Sequence, residues 1–367
     1  MKPLYSNLIG WGHYAPERVV TNDDLAQIVD TSDEWIQSRS GIKERHFAAE
    51  NEATSHLCIE ASKRAMDVAG IGAEDLDLIL IATSSPDYLV PPVSSQIQHA
   101  LGAKCGAMTL VVGCTGFVYG LVTAEQFIKT GAYRTVLLVG AETISNYLDM
   151  TDRTTCVLFG DGAGAVVLQA TEEDCGMRAF ELGSDGAGAE AIIARSPGTA
   201  NPVSQRVIDE RLHYLEMNGR EVFKFATRTM GSSLMRVMKE SGLSPEDIDL
   251  FVPHQANARI IEYAAKEFGL PDDKVVVNVD RYGNTSAASI PIALSEALSD
   301  KRAKPGDTLA FVGFGAGLTW ASAIFTLGSM TAEPRQQRGE ASASGDGAEG
   351  DADSVIGSRG EVQGLIA

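Results

Sequence analysis

Ala69-Gly70-Ile71-Gly72-Ala73-Glu74-Asp75-Leu76-Asp77-Leu78 and Ser241-Gly242-Leu243-Ser244-Pro245-Glu246-Asp247-Ile248-Asp249-Leu250 are two versions of one pattern, 172 residues apart. Each follows an amphipathic, helix-like segment and leads into an apolar strand, Ile79-Leu80-Ile81-Ala82 or Phe251-Val252-Pro253. Further on, Thr135-Val136-Leu137-Leu138-Val139-Gly140 resembles Thr308-Leu309-Ala310-Phe311-Val312-Gly313 at an offset of 173. Two similar segments at nearly one offset point to a duplication. The spacing predicts two halves, residues 1–171 and 172–328, built on the same strand-helix alternation. Apolar runs such as 136–139 and 163–168 predict an α/β class with mixed sheets buried between helices.

Between these anchors, Thr109-Leu110-Val111-Val112-Gly113-Cys114-Thr115-Gly116-Phe117 reads as a buried strand turning through glycine into a helix. A cysteine there puts its sulfur at a helix N-terminus, where unpaired N–H groups favour the thiolate. Read alone, Cys114 fits a buried structural thiol better than a nucleophile. In the second half, Gly283-Asn284-Thr285 takes the place of Gly113-Cys114-Thr115 and opens the helix-like stretch 286–298, as Cys114 opens 117–130. Pseudo-twofold packing would bring the two helix starts together. His254 follows the strand ending at Pro253 and corresponds to Ala82. Alone, His254 also fits a satisfied core histidine, and Asn284 a turn or helix cap.

Composition limits the alternatives. The chain has 367 residues, 44% of them hydrophobic, enough for a large core. Its net charge of −19 argues against nucleic-acid binding as a main role. No apolar run approaches the ~20 residues of a membrane helix and no signal peptide pattern opens the chain, so a cytoplasmic protein is expected. The five cysteines are scattered and the six histidines dispersed, which predicts neither disulfides nor a metal site. Gly160-Asp161-Gly162-Ala163-Gly164-Ala165 precedes a β-like run rather than a helix, so a nucleotide loop is not expected. Residues 329–367, rich in Ser, Gly, Ala and acids, predict a disordered acidic tail.

Taken together, Cys114, His254 and Asn284 suit one chemistry. A thiolate can take an acyl group from a thioester, and a His–Asn pair can place two N–H donors on a second thioester's carbonyl oxygen. Those donors stabilise the enolate left when a malonyl group loses CO₂, and the enolate attacks the Cys-bound acyl group. Backbone N–H groups of Cys114 and of the Gly313–Gly317 turn, with Ala316 at its middle, are candidates for holding the resulting oxyanion.

The motifs around these residues carry a family resemblance. Pro253-His254-Gln255-Ala256-Asn257-Ala258-Arg259-Ile260 and Arg281-Tyr282-Gly283-Asn284-Thr285-Ser286-Ala287-Ala288-Ser289-Ile290-Pro291 resemble signatures of ketoacyl-acyl carrier protein synthase III. So do Thr31-Ser32-Asp33-Glu34-Trp35-Ile36, Gly41-Ile42-Lys43-Glu44-Arg45, Phe159-Gly160-Asp161-Gly162-Ala163-Gly164 and Met217-Asn218-Gly219-Arg220-Glu221-Val222-Phe223-Lys224. The likeness runs from about residue 5 to 327. It implies a thiolase-like αβαβα fold and a decarboxylating condensation of acyl-CoA with malonyl-acyl carrier protein that initiates fatty acid synthesis. It also implies a homodimer and no metal or redox cofactor, coenzyme A being a substrate carrier.

Residue by residue, the resemblance makes Cys114 the acylated nucleophile and His254 and Asn284 the decarboxylation pair. It places Trp35 and Arg153 around the adenine of coenzyme A, and Arg39, Asn257, Gly219 and Phe223 along the rest of that ligand. Lys224, Arg259 and Lys266 match basic positions that receive the acidic carrier protein, with Glu267 replacing a second base beside Lys266. Val90, where some members carry a bulky aromatic, implies an acyl pocket with room for a longer or branched primer, its wall completed by a partner subunit. The same chemistry serves priming in polyketide or other specialised pathways. A degradative thiolase would want a cysteine after Cys175, and none occurs. Hydroxymethylglutaryl-CoA synthase is disfavoured by the His–Asn pairing, and a non-catalytic binding module would not need the three residues together.

Overall fold

The computed structural model describes residues 4–333; the tail expected over 329–367 lies outside them from residue 334 onward. Its first five residues do not trail away. Ser329 N–H donates to Glu173, and Glu333 N–H donates to the Gln169 side chain, so residues 329–333 are tied to the body of the fold.

Two sheets form the frame. The first has the order β1 (Tyr5–Tyr14), β5 (Gly162–Thr171), β4 (Thr135–Glu142), β2 (Leu78–Ala82), β3 (Gly106–Leu110). The second runs β6 (Gly176–Ser184), β9 (Thr319–Thr326), β8 (Thr308–Gly315), β7 (Leu250–Pro253). Apart from β3, one order describes both: a parallel pair, β2 with β4 or β7 with β8, followed by two antiparallel neighbours. The registers repeat as well. Leu78 lies opposite Val136, and Leu250 opposite Leu309.

The duplicated decapeptides fold alike for a local reason. α2 (Thr54–Ala69) and α5 (Gly219–Ser241) both end at a left-handed glycine, Gly70 and Gly242. A single 3₁₀ turn follows, in which Asp75 or Asp247 accepts the backbone N–H three residues earlier. Asp77 and Asp249 then anchor the neighbouring strand: each donates its N–H to the carbonyl of Thr135 or Thr308 and accepts that residue's N–H on its carboxylate.

Strand alternation divides the core into layers. Leu78, Leu80, Val136 and Leu138 face the centre together with Leu250, Val252, Leu309 and Phe311 of the second sheet. Between them lie α4 (Gly116–Lys129) and α7 (Ser289–Ser299). Ile79, Ile81, Leu137 and Val139 face outward onto α2 and α3 (Val93–Ala100), whereas Phe251, Ala310 and Val312 face α5 and α6 (Ala258–Glu267). The result is helix, sheet, helix, sheet, helix, the αβαβα fold the motifs imply.

Two expectations need correction. β3 is an edge strand rather than a buried one: Ala107 packs on the core, but Met108 is exposed and Val111 just beyond the strand is 70% exposed. The counterpart of Cys114 is Ala287, not Asn284. α4 and α7 each follow a 3₁₀ turn, Gly113–Thr115 and Ser286–Ala288, which pairs Gly113 with Ser286 and Cys114 with Ala287. A Cβ on Gly140 would lie 2.2 Å from the Ala287 carbonyl oxygen, while Gly313, at the matching position, faces the Cys114 carbonyl. Asn284 therefore stands two residues before its turn, where the first half has Val111. Finally, the halves differ in one connection: β4 and β5 are joined by residues 143–161, but β8 and β9 by residues 316–318 alone.

The glycine run 160–164 serves packing. A Cβ on Gly164 would meet the Pro291 carbonyl carbon at 2.5 Å, so glycine lets α7 settle on the first sheet.

Candidate active site

Cys114 sits in the 3₁₀ turn ahead of α4, with Gly113 at φ +55°, a conformation glycine adopts without strain. Behind it, Gly315 leaves no room for a side chain: a Cβ would stand 2.8 Å from both the Cβ and the N of Cys114. The sulfur interacts with the Ser286 hydroxyl and with the backbone N–H groups of Cys114 and Ala316. The helix-start argument predicts a lowered pKa, yet burial pushes the thiol up to about 11. Desolvation outweighs the donors, and the neighbouring Glu142 carboxylate adds to the rise.

His254 leaves the end of β7, its N–H donating to the Val312 carbonyl at 2.8 Å. Its Nδ1 lies 2.6 Å from Ser289 Oγ at the start of α7, and that oxygen also accepts the Gln255 N–H. The tautomer in which Ser289 donates to Nδ1 carries its ring hydrogen on Nε2, the nitrogen left to meet a ligand. Burial pushes the imidazole down to about 3, so His254 is a neutral donor. Phe314 packs edge-on against the ring at 5.3 Å.

Asn284 is fixed at both ends. Its backbone bonds to Leu158 and Gly160, and its Oδ1 accepts the Ser286 N–H at 2.9 Å. With the oxygen occupied, the Nδ2 group is the end left to donate.

One cavity of about 520 Å³ joins these three residues to most of the others. Trp35, Arg39, Arg153, Gly219, Phe223 and Asn257 all line it. It runs from exposed Arg39, Arg153, Arg220 and Phe223 down to buried His254 and Asn284. Arg153 stacks over the Trp35 ring at 5.3 Å and is tied to Asp30. Asn257 caps α6 and donates to the Arg39 carbonyl, linking two walls. Arg39, Arg153 and Arg220 supply a basic rim in a strongly acidic chain.

Four predicted residues lie elsewhere. Val90 is 85% exposed on the loop before α3 and does not line the cavity of its own chain. Lys224, Arg259 and Lys266 are exposed on α5 and α6, the latter two seven residues apart and so on one face of α6. Sequence reasoning missed Ser286, Ser289, Phe314, Arg220 and Glu142. Ser286 and Ser289 were signalled by their place in the motif after Asn284, whereas Glu142, at the end of the apolar run 136–141, had no motif to mark it. Among the described residues no cluster of His, Cys, Asp and Glu could hold a metal ion, and no helix is long and apolar enough to cross a membrane.

A five-layered duplicated fold with a cysteine, a histidine and an asparagine at one cavity floor defines a thiolase-fold condensing enzyme. The family model for 3-oxoacyl-[acyl-carrier-protein (ACP)] synthase III matches residues 108–186, and that for the C-terminal part of the same synthase matches residues 238–327. The beta-ketoacyl-[acyl-carrier-protein] synthase III of Caldanaerobacter subterraneus subsp. tengcongensis is 50% identical over 322 residues, 88% of this chain and 97% of the relative. The solved synthase III of Thermus thermophilus superposes with a TM-score of 0.83 at 46% identity, covering 88% of this chain and 99% of that one. The priming beta-ketosynthase of the R1128 polyketide pathway gives 0.83 at 32% identity, with 89% and 97% covered. The chain belongs to the beta-ketoacyl-[acyl-carrier-protein] synthase III family, the acyltransferases that initiate fatty acid synthesis.

Proposed function

We propose that the protein takes an acyl group from acyl-CoA onto Cys114 and condenses it with malonyl-acyl carrier protein, giving 3-ketoacyl-acyl carrier protein, CoA and CO₂. The single observation that carries this reading is the cavity: its floor holds the sulfur and both side-chain donors, and its rim holds a stacked Trp35–Arg153 pair. Trp35 and Arg153 take the adenine between ring and guanidinium, Arg39 pairs with phosphate, and Gly219, Phe223 and Asn257 line the pantetheine path. Cys114 attacks the thioester carbonyl, the carbon–sulfur bond to CoA breaks, and the CoA thiol leaves.

The malonyl thioester then enters the same path. His254 Nε2–H and Asn284 Nδ2–H hold its carbonyl oxygen, and loss of CO₂ leaves the enolate between them. A neutral imidazole suits this step, because it donates without needing to shed a proton. The enolate carbon attacks the acyl carbon on Cys114, whose oxyanion is received by the backbone N–H groups of Cys114 and Ala316. Collapse releases the 3-ketoacyl product and the sulfur. Every step uses groups of the chain and its two thioesters, with no metal or redox cofactor.

Lys224, Arg259 and Lys266 form the proposed docking face for the acidic carrier, within reach of the rim because α6 opens at Asn257. The proposed homodimer joins along the free edge of β3, bordered by exposed Tyr88, Leu89, Val90 and Val111. In that arrangement Val90 contributes to an acyl pocket only through a partner copy. The setting proposed is the cytoplasm, without nucleic-acid or membrane partners.

Intact mass after incubation with a panel of acyl-CoAs tests the reading and names the primer. The expected result is one acyl adduct, on Cys114; no adduct with any acyl chain would overturn it. Acetyl-CoA as the sole productive primer would remove the inference from Val90. A productive acceptor other than the fatty acid carrier would shift the pathway to specialised priming, with the chemistry unchanged.

A further inference from the structure

Glu142 has no part in the reaction just described, yet it is fully buried close to the sulfur. It ends β4 and accepts from the Ser84 N–H at 3.1 Å, the Ser85 hydroxyl at 2.5 Å and the Thr83 hydroxyl at 3.3 Å. Its remaining bond crosses to the other half of the molecule: the Ser286 hydroxyl donates to Glu142 Oε1 at 3.2 Å. None of these partners is a cation, so ionising the group in place is costly. Burial pushes the carboxyl up to about 7, against the pull of its hydroxyl and amide donors. The titratable groups that face it are Cys58 on α2, Tyr147 on the turn after β4, and Cys114.

Ser286 is the joint. It holds φ +49°, a left-handed conformation that costs a side-chain-bearing residue energy and persists where the surroundings enforce it. Its N–H fixes Asn284, while its hydroxyl meets Glu142 Oε1 on one side and the Cys114 sulfur on the other.

We propose that Glu142, acting through the Ser286 hydroxyl, receives the proton of the Cys114 thiol. The inference rests on the reading of Cys114 as the acyl-carrying nucleophile. Sulfur passes its proton to Ser286 Oγ, and Ser286 passes its own to Glu142 Oε1. The unit keeps one negative charge throughout, moved from carboxylate to sulfur. The thiolate attacks acyl-CoA, and the departing CoA sulfur carries off one proton, which returns Glu142 to the carboxylate. This resolves the conflict left by burial, since an isolated thiol at that position holds its proton at neutral pH.

A passive neighbour and a proton acceptor predict opposite signs. As a fixed negative charge, Glu142 only raises the thiol, so Glu142→Gln would make Cys114 more reactive at neutral pH. As the acceptor, its loss slows the sulfur. The experiment measures iodoacetamide alkylation and acyl-CoA labelling of Cys114 across pH in the wild type, E142Q, E142D and S286A. Wild-type alkylation is expected to rise through about pH 7. In E142Q and S286A both rates at pH 7.5 should fall by about 10²-fold, the lower end of the range for general acid–base catalysis. Their alkylation profiles should rise only at higher pH, with E142D recovering part of the loss. S286A keeps the N–H bond to Asn284 and decides alone if E142Q does not fold. Rates equal to or above the wild type in the variants overturn the proton path while leaving the nucleophile in place. Slowed alkylation in variants of a wild type that takes no acyl label overturns the nucleophile reading instead.

Discussion

The two halves of this molecule share a sheet order, a register and a pair of aspartate-anchored turns, and they use one shared geometry for opposite ends. At the start of α4 the first half presents a sulfur, Cys114; at the start of α7 the second presents Ala287, which offers no chemistry. At the ends of β2 and β7 the roles reverse, with Ala82 facing Gly116 in one half and His254 bonded to Ser289 in the other. On the proposed reading, the nucleophile comes from one copy and the side-chain donors from the other. Symmetry supplies two converging helix starts, and departures from symmetry supply the reaction.

This division can be broken directly. Cys114→Ala should take condensation to background and abolish acyl labelling, while CO₂ release from a malonyl thioester persists, because both donors belong to the second half. Carbon dioxide release that disappears along with labelling would end the separation of roles. The mirror variants, His254→Ala and Asn284→Ala, should each cut decarboxylation by about 10²–10³-fold, the usual effect of removing one oxyanion donor. Acylation of Cys114 should survive in both, and mass spectrometry of the acyl-enzyme checks it.

Finer substitutions sharpen the same contrast. Ser289→Ala frees the imidazole tautomer, and loss of one net hydrogen bond of about 1 kcal/mol predicts a roughly fivefold fall in decarboxylation. Acylation rates should not follow it; a parallel fall in both would make Ser289 a general packing residue. The last contrast is in pH dependence and touches stability rather than rate. The folded pKa of His254 lies below the unfolded value, so its contribution to stability is present above about 6.5 and is lost as the pH falls from there toward about 3. Denaturant titrations of the wild type and His254→Gln should therefore diverge as the pH drops, the wild type losing more stability; parallel curves would mean that the ring is not held neutral.

Much of this plan was legible because the duplicated decapeptides carry their own instructions: a stop glycine, a turn acid, and an aspartate that ties down the next strand. What was not legible depends on contacts between distant segments. Asn284 looks like the counterpart of Cys114 because a glycine precedes each. The true match sets Gly113 against Ser286, a serine held at positive φ by tertiary bonds that no local rule anticipates. The residues of β3 and Val111 read as core because they are apolar, and only sheet order shows that they form an edge. The thiol's reluctance to ionise is likewise a matter of burial, which the neighbouring sequence does not display. The cavity rim was accessible from motifs alone, whereas Glu142 was not, since its partners lie 57–59 residues away on one loop of the same half and 144 residues away at Ser286.

The unequal connections, 143–161 in one half and 316–318 in the other, carry a historical consequence. A duplicated gene starts with two equivalent mouths, and a chain with two equivalent mouths cannot tell a donor from an acceptor. The longer connection places Arg153, Thr154 and Phe159 on the wall of the cavity that holds the sulfur, while the three-residue turn adds none of its residues to that lining. Two thioesters reacting as proposed would share that cavity and take turns in it. On that reading the proposed order, acyl group first and malonyl second, is kept by a shared route, and a change in one loop would alter what is admitted without disturbing the strands.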